Sequence, residues 1–187
     1  MASRPITQTA FYPLTGCAPP AIPHVNCYRP SWSRDGLNRQ TDYVFNSAGQ
    51  MTEQTEPADA DGVRRRTIID YVLSAGGLSR AIAMRVCGVT ATTTTCGTSQ
   101  EIRTEYQYLG DTRLVTRERR VASVTGALLD TSYTYDAAGR LLATDGPLPG
   151  TDDTSYRRYD AVGLLTGTIS ADPDGGGPLP RLAVRNG

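Results

Sequence analysis

Few residues of this chain have the types and spacing that catalysis requires, and the most suggestive group lies near its beginning. His24 is the single histidine among 187 residues, and Ser31, Ser33 and Asp35 follow it closely. A serine, a histidine and a carboxylate perform nucleophilic hydrolysis when the fold brings them within hydrogen-bond reach. The surrounding segment is rich in proline and lacks a G-x-S-x-G nucleophile turn. We therefore interpret His24 as a solvated or loop-packing residue and predict no catalytic site.

The four cysteines form two local pairs, Cys17 with Cys27 and Cys87 with Cys96. Four cysteines allow three pairings, among which sequence alone does not choose. Two short-range disulfides would each close a loop of about ten residues and add up to roughly 3 kcal/mol of stability. Free thiols remain the alternative interpretation. A zinc site of three cysteines and His24 lacks C-x2-C spacing, so we predict no metal site and no cofactor.

Charge does not indicate a nucleic acid or an anionic membrane as partner. Nineteen basic residues, all of them arginine, balance nineteen acidic ones, so no global field attracts phosphates. The arginine run at 64–66 follows Asp59 and Asp61 and has no aromatic stacking platform around it. We interpret it as a solvated hairpin end. The paired Asp152 and Asp153 lack the apolar surroundings that raise a carboxyl pKa, and we interpret them as turn residues.

The chain shows no targeting or membrane segment. No apolar run approaches the roughly 18 residues that span a bilayer, and residues 1–7 lack the apolar centre of a secretory signal peptide. Either the chain is not exported by that route, or it is a piece of a longer protein, and we favour the second interpretation.

Composition favours β structure in the elements that must position these residues. Ten tyrosines stand against two phenylalanines and one tryptophan, and tyrosine suits a half-buried sheet surface, where its ring packs and its hydroxyl reaches water. Proline and glycine are abundant, and few windows carry the apolar spacing of a helix.

A nine-residue stretch recurs along the chain, and its best copy occupies residues 133–141. Tyr133 and Tyr135 are two residues apart and share one face of a strand. Asp136 suits the first position of a type I turn, and Gly139 suits the left-handed position that ends it. Each copy is therefore predicted to form one β-hairpin.

Four further copies are degraded. In the first, Phe45 and Asn46 replace the second tyrosine and the aspartate. The unit at 70–78 is interpreted as having lost one residue before its turn. Another unit puts Thr112 where glycine is expected, so its turn is predicted to move to 110–111, because a β-branched residue is costly at positive φ. The signature residues of all units are Tyr43, Gly49, Tyr71, Gly76, Tyr106, Tyr108, Tyr133, Tyr135, Asp136, Gly139, Arg140, Leu141, Tyr159, Asp160 and Gly163.

The pattern Y-x-Y-D-x-x-G-R-L resembles the YD repeat of the bacterial RHS-repeat family. Residues 133–141 match it at every position, whereas the unit at Tyr159 has Leu164 in place of the usual arginine. The resemblance covers roughly residues 41–170, about five units. In related proteins such hairpins join edge to edge in a spiralling sheet that forms a hollow shell, because each hairpin exposes strand edges that the next one satisfies.

The resemblance implies an all-β fold in which an array of antiparallel β-hairpins forms a curved or spiralling sheet. Such a sheet would be an open-ended fragment of an RHS-type shell. Three regions are predicted. Residues 1–41 form a proline-rich irregular leader with a degenerate repeat whose turn lies at 34–37. Residues 42–170 form the hairpin array, and residues 171–187 form a glycine- and proline-rich exit segment, expected to be frayed.

The function implied by the resemblance is structural and non-enzymatic. In bacterial members the shell encloses a toxic domain, and the animal teneurins use a similar shell in cell adhesion. About five units cannot close a shell, so the expected partners are further RHS repeats or another shell chain, with an enclosed toxin or effector domain. The expected location is secreted or at the cell surface, as part of a longer protein.

Two alternatives accompany this prediction. The tyrosine face could instead bind carbohydrate, since tyrosine rings stack on sugars, which would make the chain an extracellular recognition module; packing within the sheet is preferred. The segment 172–175, Asp-Pro-Asp-Gly, resembles the D-P-x-G signature near the self-cleavage site of the family's core domain. Its glycine-rich context favours a simple turn.

Overall fold

The structure, a computed structural model, describes residues 9–12, 25–97, 101–122 and 125–186. These residues form thirteen β-strands and a single short 3-10 helix. The all-β class and the array of antiparallel hairpins are confirmed. The described part of the chain contains no helix with the length and hydrophobicity that a bilayer crossing needs.

The elements in chain order are β1 (Thr9–Phe11), the 3-10 helix (Val25–Tyr28), β2 (Trp32–Arg34), β3 (Gln40–Phe45), β4 (Met51–Ala58), β5 (Arg64–Leu73), β6 (Ser79–Val89), β7 (Ile102–Tyr108), β8 (Val115–Ala122), β9 (Leu128–Tyr135), β10 (Leu141–Asp145), β11 (Ser155–Tyr159), β12 (Leu165–Ile169) and β13 (Ala183–Arg185).

The chain divides into two compact units. Within each unit, strands that are consecutive in the chain are neighbours in the sheet. The first unit comprises Met1–Val72, Ala81–Arg103 and Ala122–Thr125, and the second comprises Leu73–Arg80, Thr104–Val121 and Gly126–Gly187.

In the first unit the two faces of the sheet differ in chemistry. The register places Asp42, Thr55 and Arg66 opposite one another across β3, β4 and β5. Successive side chains alternate between faces, so Tyr43 and its opposite residue Gln54 lie on the other face. One face therefore carries the charged ladder and the other carries tyrosine.

In the second unit one face also carries an arginine–carboxylate ladder. Arg119 lies opposite Asp130 in the pair of β8 and β9, and Arg117 lies two residues away on the same face. Tyr133 and Tyr135 have the opposite parity in β9 and lie on the other face, where Tyr133 is opposite a threonine of β10. Alternation along β9 thus places Asp130 and its two arginines on one face and the two tyrosines on the other, where the ion pair of Glu118 and Arg120 also lies.

The described residues contain no large apolar core. The buried hydrophobic side chains are Ala83, Cys87 and Val89, and no large side chain is fully buried. By contrast, Val162 and Leu164 are 82% and 66% exposed. A sheet buries an apolar face only against a second layer, so both units leave apolar surface uncovered.

Two expectations near the ends of the chain need correction. The turn of the degenerate repeat was expected at 34–37, but it lies one residue later, because the Asp35 carboxylate caps the turn and Asn38 takes the left-handed conformation with φ 62°. The exit segment was expected to be frayed, but its residues 183–185 form β13, which pairs with β12.

Candidate functional site: the hairpin turns and the contacts between hairpins

The turn of the best-matching hairpin is held by one carboxylate. Asp136 Oδ1 accepts hydrogen bonds from the N–H groups of Ala138 and Arg140, both at 2.9 Å, and Asp136 Oδ2 accepts from Arg140 Nε at 2.6 Å. Gly139 donates its N–H to the Asp136 carbonyl at 3.0 Å and has φ 79°. The N–H and guanidinium of Arg140 hold the pKa of Asp136 below its usual value.

The same turn recurs along the chain. In each copy a side-chain oxygen accepts the N–H of the residue four positions later, and the intervening residue at positive φ is a glycine or, once, asparagine. The acceptors are Asp35, Asn46, Asp59, Ser74 and Asp160, and the matching left-handed residues are Asn38, Gly49, Gly62, Gly77 and Gly163. The turn at Asp59 lies outside the repeat units that the sequence predicts, since no tyrosine precedes it.

The unit at 70–78 corrects the sequence interpretation. It has lost no residue: Ser74 takes the aspartate position, and Gly77, with φ 80°, takes the left-handed position that the sequence pattern assigns to Gly76. Gly76 serves a different purpose, because a Cβ atom there would overlap the carboxylate of Asp111 in the next hairpin.

The turn between β7 and β8 differs from the others and lies where the sequence predicted. Gly110 has φ 48°, and the N–H of Thr112 donates to the Leu109 carbonyl at 3.1 Å. The Thr112 hydroxyl donates to the same carbonyl at 2.7 Å and accepts the N–H of Leu114 at 3.1 Å. A hydroxyl thus replaces the carboxylate that caps the other turns.

Arg140 links its own hairpin to the following one. Its guanidinium lies 5.1 Å from the centroid of the Tyr159 ring, which is a cation–π contact. Nη1 is 3.5 Å from the Asp160 carbonyl. A Cβ atom on Gly163 would be 3.0 Å from the same nitrogen, so the glycine that forms the next turn also leaves room for this arginine.

Arg80 makes the equivalent contact with the hairpin of β7 and β8. Its guanidinium lies 4.9 Å from the centroid of the Tyr108 ring. Nη1 donates to the carbonyls of Gly110 and Thr112 at 2.7 and 2.9 Å. Arg80 lies two residues beyond the signature arginine position, which Leu78 occupies, and the sequence analysis therefore missed it.

Three tyrosine hydroxyls bind the preceding hairpin from the opposite direction. Each donates to the carbonyl of the residue that opens the preceding return strand, 18 to 20 residues earlier in the chain. Because each bond spans two hairpins, the tyrosines of the signature tie neighbouring repeats together. The pairs are Tyr71 with Met51 at 3.2 Å, Tyr135 with Val115 at 2.7 Å, and Tyr159 with Leu141 at 3.1 Å.

The remaining signature tyrosines pack within the sheet. Tyr43 shares a hydrogen bond of 3.2 Å with the Ser33 hydroxyl, which places Ser33 in a contact unrelated to hydrolysis. Burial raises the pKa values of the Tyr106, Tyr133 and Tyr135 hydroxyls, and the nearby carboxylate of a glutamate adds to the effect at the first two.

Cysteine geometry gives the first unit a covalent link. Cys87 and Cys96 form a disulfide, and Cys27 is also disulfide-bonded. Its predicted partner, Cys17, lies outside the described residues, as does His24. Within the described ranges no cluster of three or more histidine, cysteine or acidic side chains is arranged to hold a metal ion.

The arginine run at 64–66 is neutralised by its neighbours. Arg64 pairs with Asp42 and Arg66 with Glu53, both at 2.6 Å. Arg66 also donates to the Thr94 carbonyl. Because these arginines are paired with carboxylates, they do not form a basic patch. They stabilise contacts between neighbouring strands instead.

The remaining acidic motifs form loop contacts. Asp153 Oδ2 accepts the N–H of Leu148 at 2.8 Å, and Asp172 Oδ1 accepts the N–H of Asp174 at 3.3 Å. The Asp174 N–H is the main cause of the lowered pKa of Asp172. Both carboxylates therefore accept backbone N–H groups within their own loops, as turn residues do.

Comparison with known proteins identifies similar folds. No protein-family model matches the chain, and no curated protein matches it in sequence. Among solved structures, the Photorhabdus luminescens Tc holotoxin pore with a mutation in TccC3 is 16% identical, with a TM-score of 0.52 over 75% of this chain and 6% of that one. Crystal structures of TcdB2-TccC3 without and with the hypervariable C-terminal region are 16% and 15% identical, each with a TM-score of 0.58 over 90% of this chain and 7% of that one. The chain therefore spans only 6% or 7% of the chains whose fold it shares.

Proposed function

We propose that the chain is a non-enzymatic structural segment of an RHS-type shell that encloses or scaffolds a toxin or effector domain. The observation that carries this proposal is an array of hairpins joined to one another, whose described residues form no large apolar core. In such an arrangement the hairpins supply a wall, and the apolar surface is covered by other parts of the assembly.

The contacts between hairpins support the proposal. Arg140 and Tyr159 bind neighbouring hairpins from opposite sides, one through its guanidinium and the other through its hydroxyl. Because these signature residues bind neighbouring repeats, they favour a structural role in an extended sheet over a catalytic role.

The fold comparison adds support from a different direction. The similar structures belong to a Tc holotoxin pore and to TcdB2-TccC3, and this chain matches a small part of each. A small part of a large toxin chain agrees with a segment that works together with further repeats. We propose that this assembly is secreted or surface-exposed.

Carbohydrate recognition by the tyrosine face is the second candidate, and the geometry favours it less. The hydroxyls of Tyr71, Tyr135 and Tyr159 donate to backbone carbonyls of the sheet. A sugar-binding platform needs those hydroxyls to hydrogen-bond the ligand. Glycan binding therefore stays a prediction.

Native mass spectrometry of the protein purified from its source cells tests the proposal. We expect recovery in a larger assembly with further repeats, because open strand edges and uncovered apolar surface favour association. A stable monomer that is also retained on a glycan array would contradict the shell and favour recognition.

A proline variant in β13, with a matched control, tests whether the assembly forms through the open edge of this strand. The N–H of Asn186 donates to the Thr166 carbonyl, so by alternation the N–H of Val184 points towards β12 and that of Ala183 points outwards. Ala183→Pro should reduce association while preserving the fold, whereas Val184→Pro should also disturb the pairing of β13. Circular dichroism separates the two outcomes.

A further inference from the structure

Three neighbouring strands of the second unit form an open cleft with an unusual row of side chains. Arg158 of β11 lies opposite Gly167 of β12, which lies opposite Arg185 of β13. All three line the same cleft. Neighbouring strands are about 4.8 Å apart, so two arginines stand roughly 10 Å apart with only a glycine between them.

Elsewhere on the sheet, arginines at such positions face a carboxylate. Asp130 receives both Arg117, at 2.9 Å, and Arg119, at 2.7 Å, from the adjacent strand. Among the described residues, by contrast, Arg158 and Arg185 form no side-chain hydrogen bond or ion pair. The place that a carboxylate fills in the Asp130 row is here left open.

Gly167 has its own reason to lack a side chain. A Cβ atom there would lie 3.0 Å from the Val184 carbonyl, so the close approach of β13 requires a small residue. The two arginines have no such structural requirement, since both side chains are exposed. A carboxylate from a second molecule can therefore reach both guanidinium groups.

The next row of the same face is apolar. Tyr156, Ile169 and Ala183 lie opposite one another, two residues along each strand from the arginine row. Two residues of strand span about 7 Å. An extended peptide repeats with the same period, so an acidic residue over the arginines places the second residue after it over the apolar row.

One further charged group lines the cleft and another lies beside Tyr156 of the apolar row. Asp160 lines it, but its Oδ1 is occupied by the N–H groups of Val162 and Leu164. Arg181 lies 5.9 Å from the Tyr156 ring centroid and donates to the Thr154 carbonyl at 2.8 Å. Two guanidinium groups and one carboxylate thus line the cleft, and a third guanidinium lies beside the apolar row, a balance that favours an anionic ligand.

We propose that this cleft binds an extended polypeptide segment in which a carboxylate side chain is followed two residues later by an apolar one. The paired arginines hold the carboxylate, and the row of Tyr156, Ile169 and Ala183 receives the apolar side chain. This binding site does not depend on assembly of the chain into a shell.

Fluorescence anisotropy with the full chain tests the proposal. The probe is fluorescein-labelled Ser-Glu-Ser-Leu-Ser amide, and the comparison peptide carries glutamine in place of glutamate. The double variant R158Q/R185Q should raise the dissociation constant of the glutamate peptide by roughly fivefold or more, as expected for loss of two exposed charge-assisted contacts. The glutamine peptide should bind wild type as weakly as the glutamate peptide binds the variant.

Arg157 offers a matched control, because it lies next to Arg158 but points to the other face, opposite Thr168. R157Q should leave the dissociation constant within about twofold of wild type. An equal loss in R157Q would mean that only net charge matters and would overturn the proposal. Stronger binding of an eight-nucleotide oligothymidylate, lost in R158Q/R185Q, would assign the cleft to phosphate instead.

Discussion

Two hairpins of the second unit, one that matches the repeat signature fully and one that is degraded, have different turns, yet each takes part in an arginine–tyrosine contact with a neighbouring hairpin. The first uses Asp136 and Gly139, whereas the second uses the Thr112 hydroxyl and Gly110. Arg140 of the first hairpin lies 5.1 Å from the ring centroid of Tyr159 in the following hairpin. The second hairpin receives the contact instead, since Arg80 of the preceding hairpin lies 4.9 Å from its Tyr108 ring.

This comparison separates two roles of the signature. Aspartate and glycine shape the turn, and another pair of residues can replace them. Arginine and tyrosine connect neighbouring hairpins, and that contact persists even where the arginine comes from a different position. We infer that several residue combinations can form the turn, whereas the contact between hairpins uses an arginine and a tyrosine in both cases.

The largest effect is expected from valine at Gly139. Its φ of 79° opposes a branched side chain, and so does the Leu114 side chain, which would lie 3.2 Å from a Cβ atom at this position. Gly139→Val should lower the free energy of unfolding by about 3 kcal/mol, and Gly110→Val, at φ 48° with open space, by about 1 to 2 kcal/mol. Denaturant unfolding checks the order, with Ala138→Val as the control. Equal losses at the two glycines would show that strain does not distinguish the turns.

A smaller effect is expected at the tyrosine hydroxyl between hairpins. Tyr135→Phe removes the hydrogen bond to the Val115 carbonyl and should lower the unfolding free energy by about 1 kcal/mol. Tyr133→Phe is the matched control, because the structure gives its hydroxyl no hydrogen bond among the described residues. Similar melting temperatures for both variants would show that the hydrogen bond of Tyr135 does not stabilise the contact between hairpins.

Arginine substitutions compare the two contacts directly. Arg140→Gln and Arg80→Gln should each lower the unfolding free energy by about 0.5 to 1 kcal/mol, because each removes one cation–π contact. Thermal unfolding of both variants provides the test. A clearly larger loss for Arg140→Gln would mean that its bond to Asp136, rather than its contact with the next hairpin, provides the stability.

The smallest difference is expected in acid. The folded-state pKa of Asp136 lies below the usual 3.8, so its stabilisation is fully present above about pH 4 and is lost as pH falls through the folded pKa. The melting temperature of wild type should therefore exceed that of Asp136→Asn at pH 7, and the gap should narrow towards about pH 2.5. A gap that does not change with pH would exclude the ionised carboxylate as its source.

The sequence predicted the parts of this fold that depend on local chemistry. The turn at Asp136 and Gly139 follows from residue types alone, and so does the displaced turn at Gly110. The sequence does not predict the turn at Asp59, because no tyrosine precedes it. It also does not distinguish Gly76 from Gly77 as the left-handed residue, because the two glycines are adjacent.

Contacts between strands could not be predicted in the same way. The role of Arg80 and the row of Arg158, Gly167 and Arg185 depend on register, and shifting a strand by one residue would move every side chain to the other face. No spacing along the chain reveals which residues of three strands become neighbours.

The bonds from tyrosine to the preceding hairpin have a consequence for biosynthesis. In each of the three pairs the acceptor carbonyl is translated 18 to 20 residues before the tyrosine that binds it. A ribosome adds roughly 5 to 20 residues per second, so a new hairpin can attach to a finished one within a few seconds of its emergence. The array of hairpins can therefore grow at the pace of translation, with each completed repeat serving as the template for the one being made.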